Sequence, residues 1–309
     1  MKIAVCIATY RRPVMLATLL RSLGDLALDA PAPEVVIVVV DNDANGSAET
    51  VVEAARSTVP WRIVSSVEPE RNIALARNRG VALALADGAD WVAFVDDDEM
   101  VTARWLAELL RVQAEFAADV VGGPVVNVYP DDAPRWIVAS ELPRRLRLAT
   151  GAGGFVAETS NALVSGRVLA AMSGPFDARF GLSGGSDSHL FHRAHRTGAR
   201  FAWAADAVVR ETLPRSRASA GWLLRRGFRV GNTAVLVARA MLPLRSWLPR
   251  RFAAACYRIA IGTVRLLPAL VLGRVAVVQA LHDICLGAGA IAAMGGFRYV
   301  EYRRPPHGS

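Results

Sequence analysis

Glycine is missing from the first 23 residues of this 309-residue chain, and lysine from nearly all of it: Lys2 is the only one of 36 basic side chains that is not arginine. A dinucleotide-binding loop needs glycines after the first strand so that backbone can approach a pyrophosphate, and a Walker A loop needs glycines and a lysine. Neither pattern occurs, which excludes the usual NAD, FAD and P-loop sites. Cysteine is scarce too. Cys6, Cys256 and Cys285 are too few and too scattered for a disulfide framework or a zinc cluster, which suits a reducing compartment. No Gly or Pro period is present, so fibrous classes are excluded. With 53% hydrophobic and 21% charged residues, so is intrinsic disorder. The N-terminal apolar run stops at Arg11-Arg12, short of a signal-peptide core, so the bulk of the chain is expected in the cytoplasm.

The net charge of +8 is unevenly spread. Residues 210–309 hold 16 arginines against Glu211, Asp283 and Glu301, a net of +13, leaving −5 for residues 1–209. An acidic body with a basic, apolar tail points to an anionic surface. The tail has no basic stripe interleaved with exposed stacking aromatics, which argues against nucleic acid and for membrane lipid.

The first 126 residues alternate strand-like and helix-like segments. Continuous apolar runs at Ile3–Ala8, Val35–Val40, Trp61–Val67, Asp90–Val95 and Val120–Val126 predict strands. Leu16, Leu19, Leu20 and Leu23 share a helix face, and residues 73–86 predict a second helix. Continuous rather than alternating apolar strands separated by helices indicate a mostly parallel sheet covered on both faces. Residues 127–158, with Pro130, Pro134, Pro143 and Gly151-Ala-Gly153-Gly154, read as a long loop of the kind that is usually functional. Thr159–Val164 predicts a strand, Asp187–Thr197 a helix, and Arg200–Ala204 with Ala207–Arg210 a pair of strands. Everything after Ser216 reads as helical. The expected division is a domain over 1–215, with halves 1–126 and 127–215, and a helical region over 216–309.

Ligands of such sheets bind beyond the C-terminal ends of the strands. Thr9-Tyr10-Arg11-Arg12-Pro13 follows the first strand and Asp41-Asn42-Asp43 the second, where an Asx turn is the simpler alternative. Asp96-Asp97-Asp98-Glu99 follows the fourth. One carboxylate would suffice to cap the helix expected near Thr102, whereas four adjacent ones repel unless cations offset them. Oxygen-only ligands suit Mg²⁺ or Mn²⁺, which bind through one or two carboxylates plus substrate phosphates. Arg71-Asn72 and Arg77-Asn78-Arg79 form a cationic element between the third and fourth strands. His189, His192 and His195 do not share one helix face, so a three-histidine metal site is not expected.

These motifs, with Asn161-Ala-Leu163, Leu182-Ser-Gly-Gly185, Arg217-Ala-Ser219, Trp222-Leu223 and Arg226-Gly-Phe-Arg229, resemble the family 2 glycosyltransferases of GT-A fold over residues 1–232. Within that family the chain is most similar to the exopolysaccharide type. The resemblance implies an inverting transfer from a nucleotide-sugar, a UDP-sugar, to a membrane-held or polysaccharide acceptor. It implies that Thr9, Tyr10, Arg11, Asp41, Asn72, Arg77, Asp96 and Asp97 face the donor nucleotide, that Asp98 binds the divalent cation, and that Asp187 is the base. The chain departs from the pattern at two positions. Ser186 replaces the Glu usually beside the base, which should let Asp187 ionise more easily, and Arg210 stands where many relatives have a metal-binding His. Both are candidates for diphosphate or acceptor contacts. Ser186-Asp187 as a helix N-cap, a non-catalytic glycan- or nucleotide-binding protein, and a nucleotidyltransferase are the alternatives.

In the tail, Arg258, Arg265, Arg274, His282 and Asp283 interrupt the apolar residues. A central charge costs about 2.5–3.5 kcal/mol on insertion scales, so helices lying in the interface, with guanidinium groups reaching anionic lipid, are expected rather than a span. The expected location is the cytoplasmic face of the inner membrane, peripheral or monotopic.

Overall fold

The computed structural model describes residues 1–140, 146–153 and 158–301; Pro143 and Gly154 of the expected loop lie outside the described residues. In chain order the elements are β1 (Lys2–Thr9), α1 (Pro13–Gly24), β2 (Glu34–Asp41), α2 (Glu49–Arg56), β3 (Arg62–Val67), α3 (Ile73–Ala86), β4 (Trp91–Val95) and β5 (Glu99–Val101). Then come α4 (Trp105–Phe116), β6 (Val120–Gly122), β7 (Val125–Val128), α5 (Arg135–Ser140), β8 (Asn161–Ser165), α6 (Gly166–Ala170) and α7 (Ser186–Arg196). The last are β9 (Phe201–Trp203), β10 (Val209–Thr212), α8 (Ala220–Met241), α9 (Leu244–Leu272) and α10 (Arg274–Met294).

A seven-stranded sheet runs β3-β2-β1-β4-β8-β6-β9. Only β8 runs against the others, pairing antiparallel with β4 and β6. The β-branched runs of β1 and β2 are buried on both faces. Ile3, Val5, Ile37 and Val39 pack under α1, while Ala4, Val36 and Val38 pack under α3. After β1 the chain winds to β2 and β3 on one side, then returns to β4 on the other. That reversal opens a crevice beyond Thr9 and Val95, where open α/β sheets hold their ligands.

The sheet corrects one expectation. Residues 120–126 are two strands, not one, because Pro124 cannot donate to a ladder and a Cβ at Gly123 would lie 2.5 Å from the Ala207 carbonyl oxygen. The two strands expected over 200–210 are present and belong to different sheets. β9 joins β6 in the large sheet, and β10 joins β7 and β5 in a three-stranded one. Both segments cross from one sheet to the other together, and the small sheet stands over the acidic run. The region expected as a loop carries the end of β7 and the short α5.

The helices α8, α9 and α10 pack on one another through small residues. Cβ atoms at Gly231 and Gly289 would lie 1.9 Å from the Leu286 and Phe228 carbonyl oxygens, respectively. α9 and α10 are both long and apolar enough to cross a membrane, and most of their surface is not covered by the protein. Asp283, expected as the charge that opposes insertion, accepts from Arg258 at 2.7 Å and Arg265 at 3.4 Å. Arg274 lies over the Trp136 ring, 4.5 Å from its centroid. These three arginines thus have protein partners, while Arg258 and Arg265 keep 49% and 61% of their side-chain surface exposed.

Candidate active site

The acidic run is resolved into four different environments. Glu99 belongs to β5, and its Oε2 accepts from the Asp96 amide at 2.7 Å, closing the turn rather than joining a cation site. Asp96 Oδ1 accepts from Arg77 Nη2 on α3 at 2.8 Å. Asp97 is buried and accepts from Thr9 Oγ1 at 2.8 Å and Arg12 Nη1 at 2.9 Å. Burial pushes the Asp97 carboxyl up to about 6, against the pull of Arg12. Asp98 Oδ2 takes Arg12 Nη1 at 3.1 Å and Arg217 Nη1 at 3.4 Å. Three arginines therefore offset the repulsion among these acids. None of the acids caps the next helix, since α4 starts at Trp105 behind Arg104 with no side-chain cap.

Arg217 Nη1 also reaches Glu211 Oε1 at 2.9 Å. Glu211 is on β10, where it pairs with Glu99 across the small sheet. Two carboxylates from facing segments thus converge on one guanidinium. An all-oxygen set of two carboxylates, with phosphate and water completing the shell, fits Mg²⁺ or Mn²⁺. Among the described residues no three metal-capable side chains cluster, so the remaining ligands would come from outside the protein. Alternation along β10 buries Glu211 toward Asp98 and leaves Arg210 exposed. The residue of this strand that faces the acidic run is therefore Glu211, which the sequence reading missed.

The turn after β1 is shaped for contact. Arg11 has φ +52°, an uncommon conformation for a non-glycine residue, and its Nε donates to Asp43 Oδ2 at 2.8 Å. That contact holds the Asp43 carboxyl below the usual carboxylate range. Two cations lie over the Tyr10 ring, Arg11 5.2 Å and Arg71 4.8 Å from its centroid. Asp41 and Asn72 both hold the local backbone in place. Both Asp41 oxygens are taken up in the turn to α2, by the Asp43 amide at 2.9 Å and the Ala48 amide at 2.7 Å. Asn72 caps α3 through the Ala74 amide at 3.0 Å and donates to the Ala178 carbonyl at 3.1 Å.

Asp187 lies in the first turn of α7, partly exposed, behind Gly184 and Gly185. The N-cap is Gly185, at φ +98°, so the Ser186-Asp187 capping alternative does not hold. Only glycine suits this position, because a Cβ there would also lie 2.4 Å from Thr233 Cγ2. Desolvation raises the Asp187 pKa, opposed by the Arg77 cation and the Ser188 amide and reinforced by Glu158 and Asp96. The rise comes first from burial, and Ser186, unlike a Glu, adds no like charge to it. Ser186 is buried at the helix start. His189 is buried too, its ring 5.2 Å from that of Phe180.

The Glycosyl transferase family 2 profile matches residues 4–166, just over half of the chain and including β1, β4 and the acidic run. The chain belongs to this family. It is 37% identical over 231 residues to the succinoglycan biosynthesis protein ExoM of Rhizobium meliloti strain 1021, covering 75% of this chain and 72% of the relative. It is 32% identical to galactofuranosyltransferase GlfT1 of Mycobacterium tuberculosis H37Rv, covering 65% of this chain and 67% of that protein. The fold is also that of two solved structures. S. aureus TarS 1–349, solved with UDP-GlcNAc, gives a TM-score of 0.55 at 15% identity, covering 98% of this chain and 93% of that one. The mannosyltransferase PcManGT of Pyrobaculum calidifontis, solved with GDP-Man and Mn²⁺, gives 0.61 at 18%, covering 94% and 86%. The fold is GT-A with a C-terminal helical region, and this family 2 member is a glycosyltransferase enzyme.

Proposed function

We propose that the enzyme transfers a sugar from a UDP-sugar, with inversion, to a membrane-held glycan during synthesis of exopolysaccharide or another cell-surface polysaccharide. The observation that carries this reading is the set of ion pairs at the β1/β4 crevice of a family 2 chain, with Arg77 on Asp96 and Arg12 on both Asp97 and Asp98. Support for the donor comes from the TarS structure with UDP-GlcNAc, and for the product class from the printed role of ExoM in succinoglycan biosynthesis.

Tyr10, Arg11 and Arg71 line the nucleoside end, on a floor that Asp41 and Asn72 hold in place. Arg12, Arg77 and Arg217 stand where the diphosphate would lie, and guanidinium forks match phosphate oxygens. A divalent cation held by Asp98 and Glu211 would supply charge neutralisation to the departing diphosphate. Asp187 accepts the proton of the attacking acceptor hydroxyl, and its desolvated carboxylate is a stronger base than one in water. The proton ends on the Asp187 carboxyl as the new glycosidic bond forms.

For the membrane, we infer peripheral or monotopic attachment on the cytoplasmic face of the inner membrane through the α9–α10 hairpin. Val264, Leu267, Leu270, Val271 and Leu272 are all more than 60% exposed near its turn, an apolar patch of the kind that marks an interaction surface. The test of the function is incubation of the protein with a bacterial membrane extract, Mn²⁺ and a panel of radiolabelled UDP-sugars and GDP-sugars. Label entering the lipid-extractable or polysaccharide fraction from a UDP-sugar supports the reading. Transfer from GDP-sugars alone overturns the donor assignment.

A further inference from the structure

Away from the crevice, an open cavity of about 310 Å³ is lined by Arg179, Phe180, Leu236, Arg239, Ala240 and Arg298. Its walls come from a turn of 3₁₀ helix at Ala178–Phe180, the last turns of α8, and the segment after α10. The lining is cationic on one side and apolar on the other. Arg179 is paired with Asp177, Nη2 to Oδ2 at 2.6 Å. Among the described residues, neither Arg239 nor Arg298 has an ion-pair partner. Three guanidinium groups against one carboxylate leave a surplus of two positive charges. The α8 C-terminus carries about half a negative charge, so one arginine would be enough to offset it. Like charges around a shared cavity repel unless an anion joins them.

The cavity also adjoins the loop that carries Asp187. The Gly184 amide donates to the Phe180 carbonyl at 2.9 Å, and the Glu301 amide, three residues past Arg298, donates to the Leu182 carbonyl at 2.9 Å. On its other side the 178–180 turn is tied to Asn72. None of the lining residues belongs to the nucleotide crevice.

We propose that this cavity binds the phosphate or diphosphate group of an acceptor ligand, through Arg179, Arg239 and Arg298, with the rest of the ligand against Phe180 and Leu236. Guanidinium groups suit phosphate by charge and by their fixed fork of donors. The apolar wall suits a phosphate that carries hydrocarbon, as does the exposure of Leu242 and Leu244 just beyond α8. Assignment to the acceptor rests on the reading of Asp187 as base; the binding of phosphate does not.

The experiment is calorimetric titration of the full chain with inorganic phosphate and, separately, with a short-chain phosphatidic acid below its micelle concentration. Donor and divalent cation are both omitted, so failure of the glycosyl-transfer reading leaves this result untouched. The variants are Arg239→Gln/Arg298→Gln, at exposed positions, and Arg12→Gln/Arg77→Gln in the crevice. A thermal melt of each checks folding. The expected result is at least about tenfold weaker phosphatidic acid binding, or about 1.4 kcal/mol, in the cavity variant, whereas the crevice variant keeps that binding and loses only the inorganic phosphate that occupies the donor site. Preference for the phosphatidic acid assigns a lipid-borne phosphate, whereas equal binding of inorganic phosphate by the crevice variant assigns a free one. No binding by the parent, or a loss of phosphatidic acid binding confined to the crevice variant, overturns the proposal.

Discussion

Replacing Asp187 with Asn separates chemistry from binding at a single atom. The substitution keeps the side chain's shape and an oxygen able to accept from the Ser188 amide, a bond of 2.8 Å in the parent. Gly185 rather than Asp187 makes the helix N-cap, so α7 should start as before. What is lost is the proton acceptor. A positioned general base contributes about 10²–10⁴-fold in rate, equivalent to about 2.7–5.5 kcal/mol of barrier. Turnover, measured by transfer of radiolabelled sugar, should fall by that factor, while UDP affinity by calorimetry stays within a few-fold. The parent's pH profile carries the second half of the prediction. Because the Asp187 pKa is raised, the base is protonated at pH values where an ordinary carboxylate is still ionised. Activity should therefore be lost as pH falls through that elevated pKa, on an acid limb above the usual carboxylate range. Arg77 opposes the rise, so Arg77→Gln should move the limb to higher pH whatever it does to donor KM. Transfer by Asp187→Asn at the parental rate would place the base elsewhere. An acid limb that Arg77→Gln leaves unmoved would sever the link between these two residues.

Three further outcomes follow from the geometry. Gly185→Ala should destabilise the fold by about 1–3 kcal/mol from its positive φ alone, with the Thr233 overlap in addition; a denaturant midpoint equal to the parent's would contradict this. Arg217→Ala leaves Asp98 and Glu211 facing one another across the vacated position, so Mn²⁺ should raise the variant's Tm by more than the parent's; equal shifts would show that the guanidinium and the cation do not share a place. Leu267→Glu/Val271→Glu should release the protein from vesicles containing anionic lipid in a flotation assay, whereas high salt should release the parent only in part, since screening weakens exposed charge but not apolar burial. Full release of the parent by salt would remove the apolar contribution.

The large sheet was legible because its central strands β1, β2 and β4 are buried on both faces and so appear as unbroken apolar runs: residues 35–40 cannot be mistaken for a half-exposed strand. The motifs after those strands were legible for the same reason, since chain order places them at one edge. The small sheet was not. Its β5 has three residues, and Glu99 reads as the last of an acidic run until its carboxylate is seen to close the turn on Asp96. Glu211 escaped notice because its significance depends on Arg217 bridging to Asp98, 119 residues away in sequence. The one local signal was strand alternation, which puts Glu211 and Arg210 on opposite faces of β10 and could have favoured the acid. Asp41 and Asn72 were legible as polar residues at the right edge, but only the hydrogen bonds of the 42–48 turn and the α3 cap show their side chains to be used within the protein. The cationic cavity could not have been foreseen, because Arg179, Arg239 and Arg298 come from three separate stretches of chain.

The central claim is that this crevice binds a nucleoside diphosphate through a divalent cation held at Asp98. Calorimetric titration of UDP with and without Mn²⁺, on the parent and on Asp98→Asn, tests it most directly. The account predicts that Mn²⁺ tightens UDP binding by the parent about tenfold or more, at least about 1.4 kcal/mol, and that Asp98→Asn loses this increment while keeping the parent's thermal melt. UDP binding that is indifferent to Mn²⁺ in the parent, or an undiminished increment in Asp98→Asn, would contradict it.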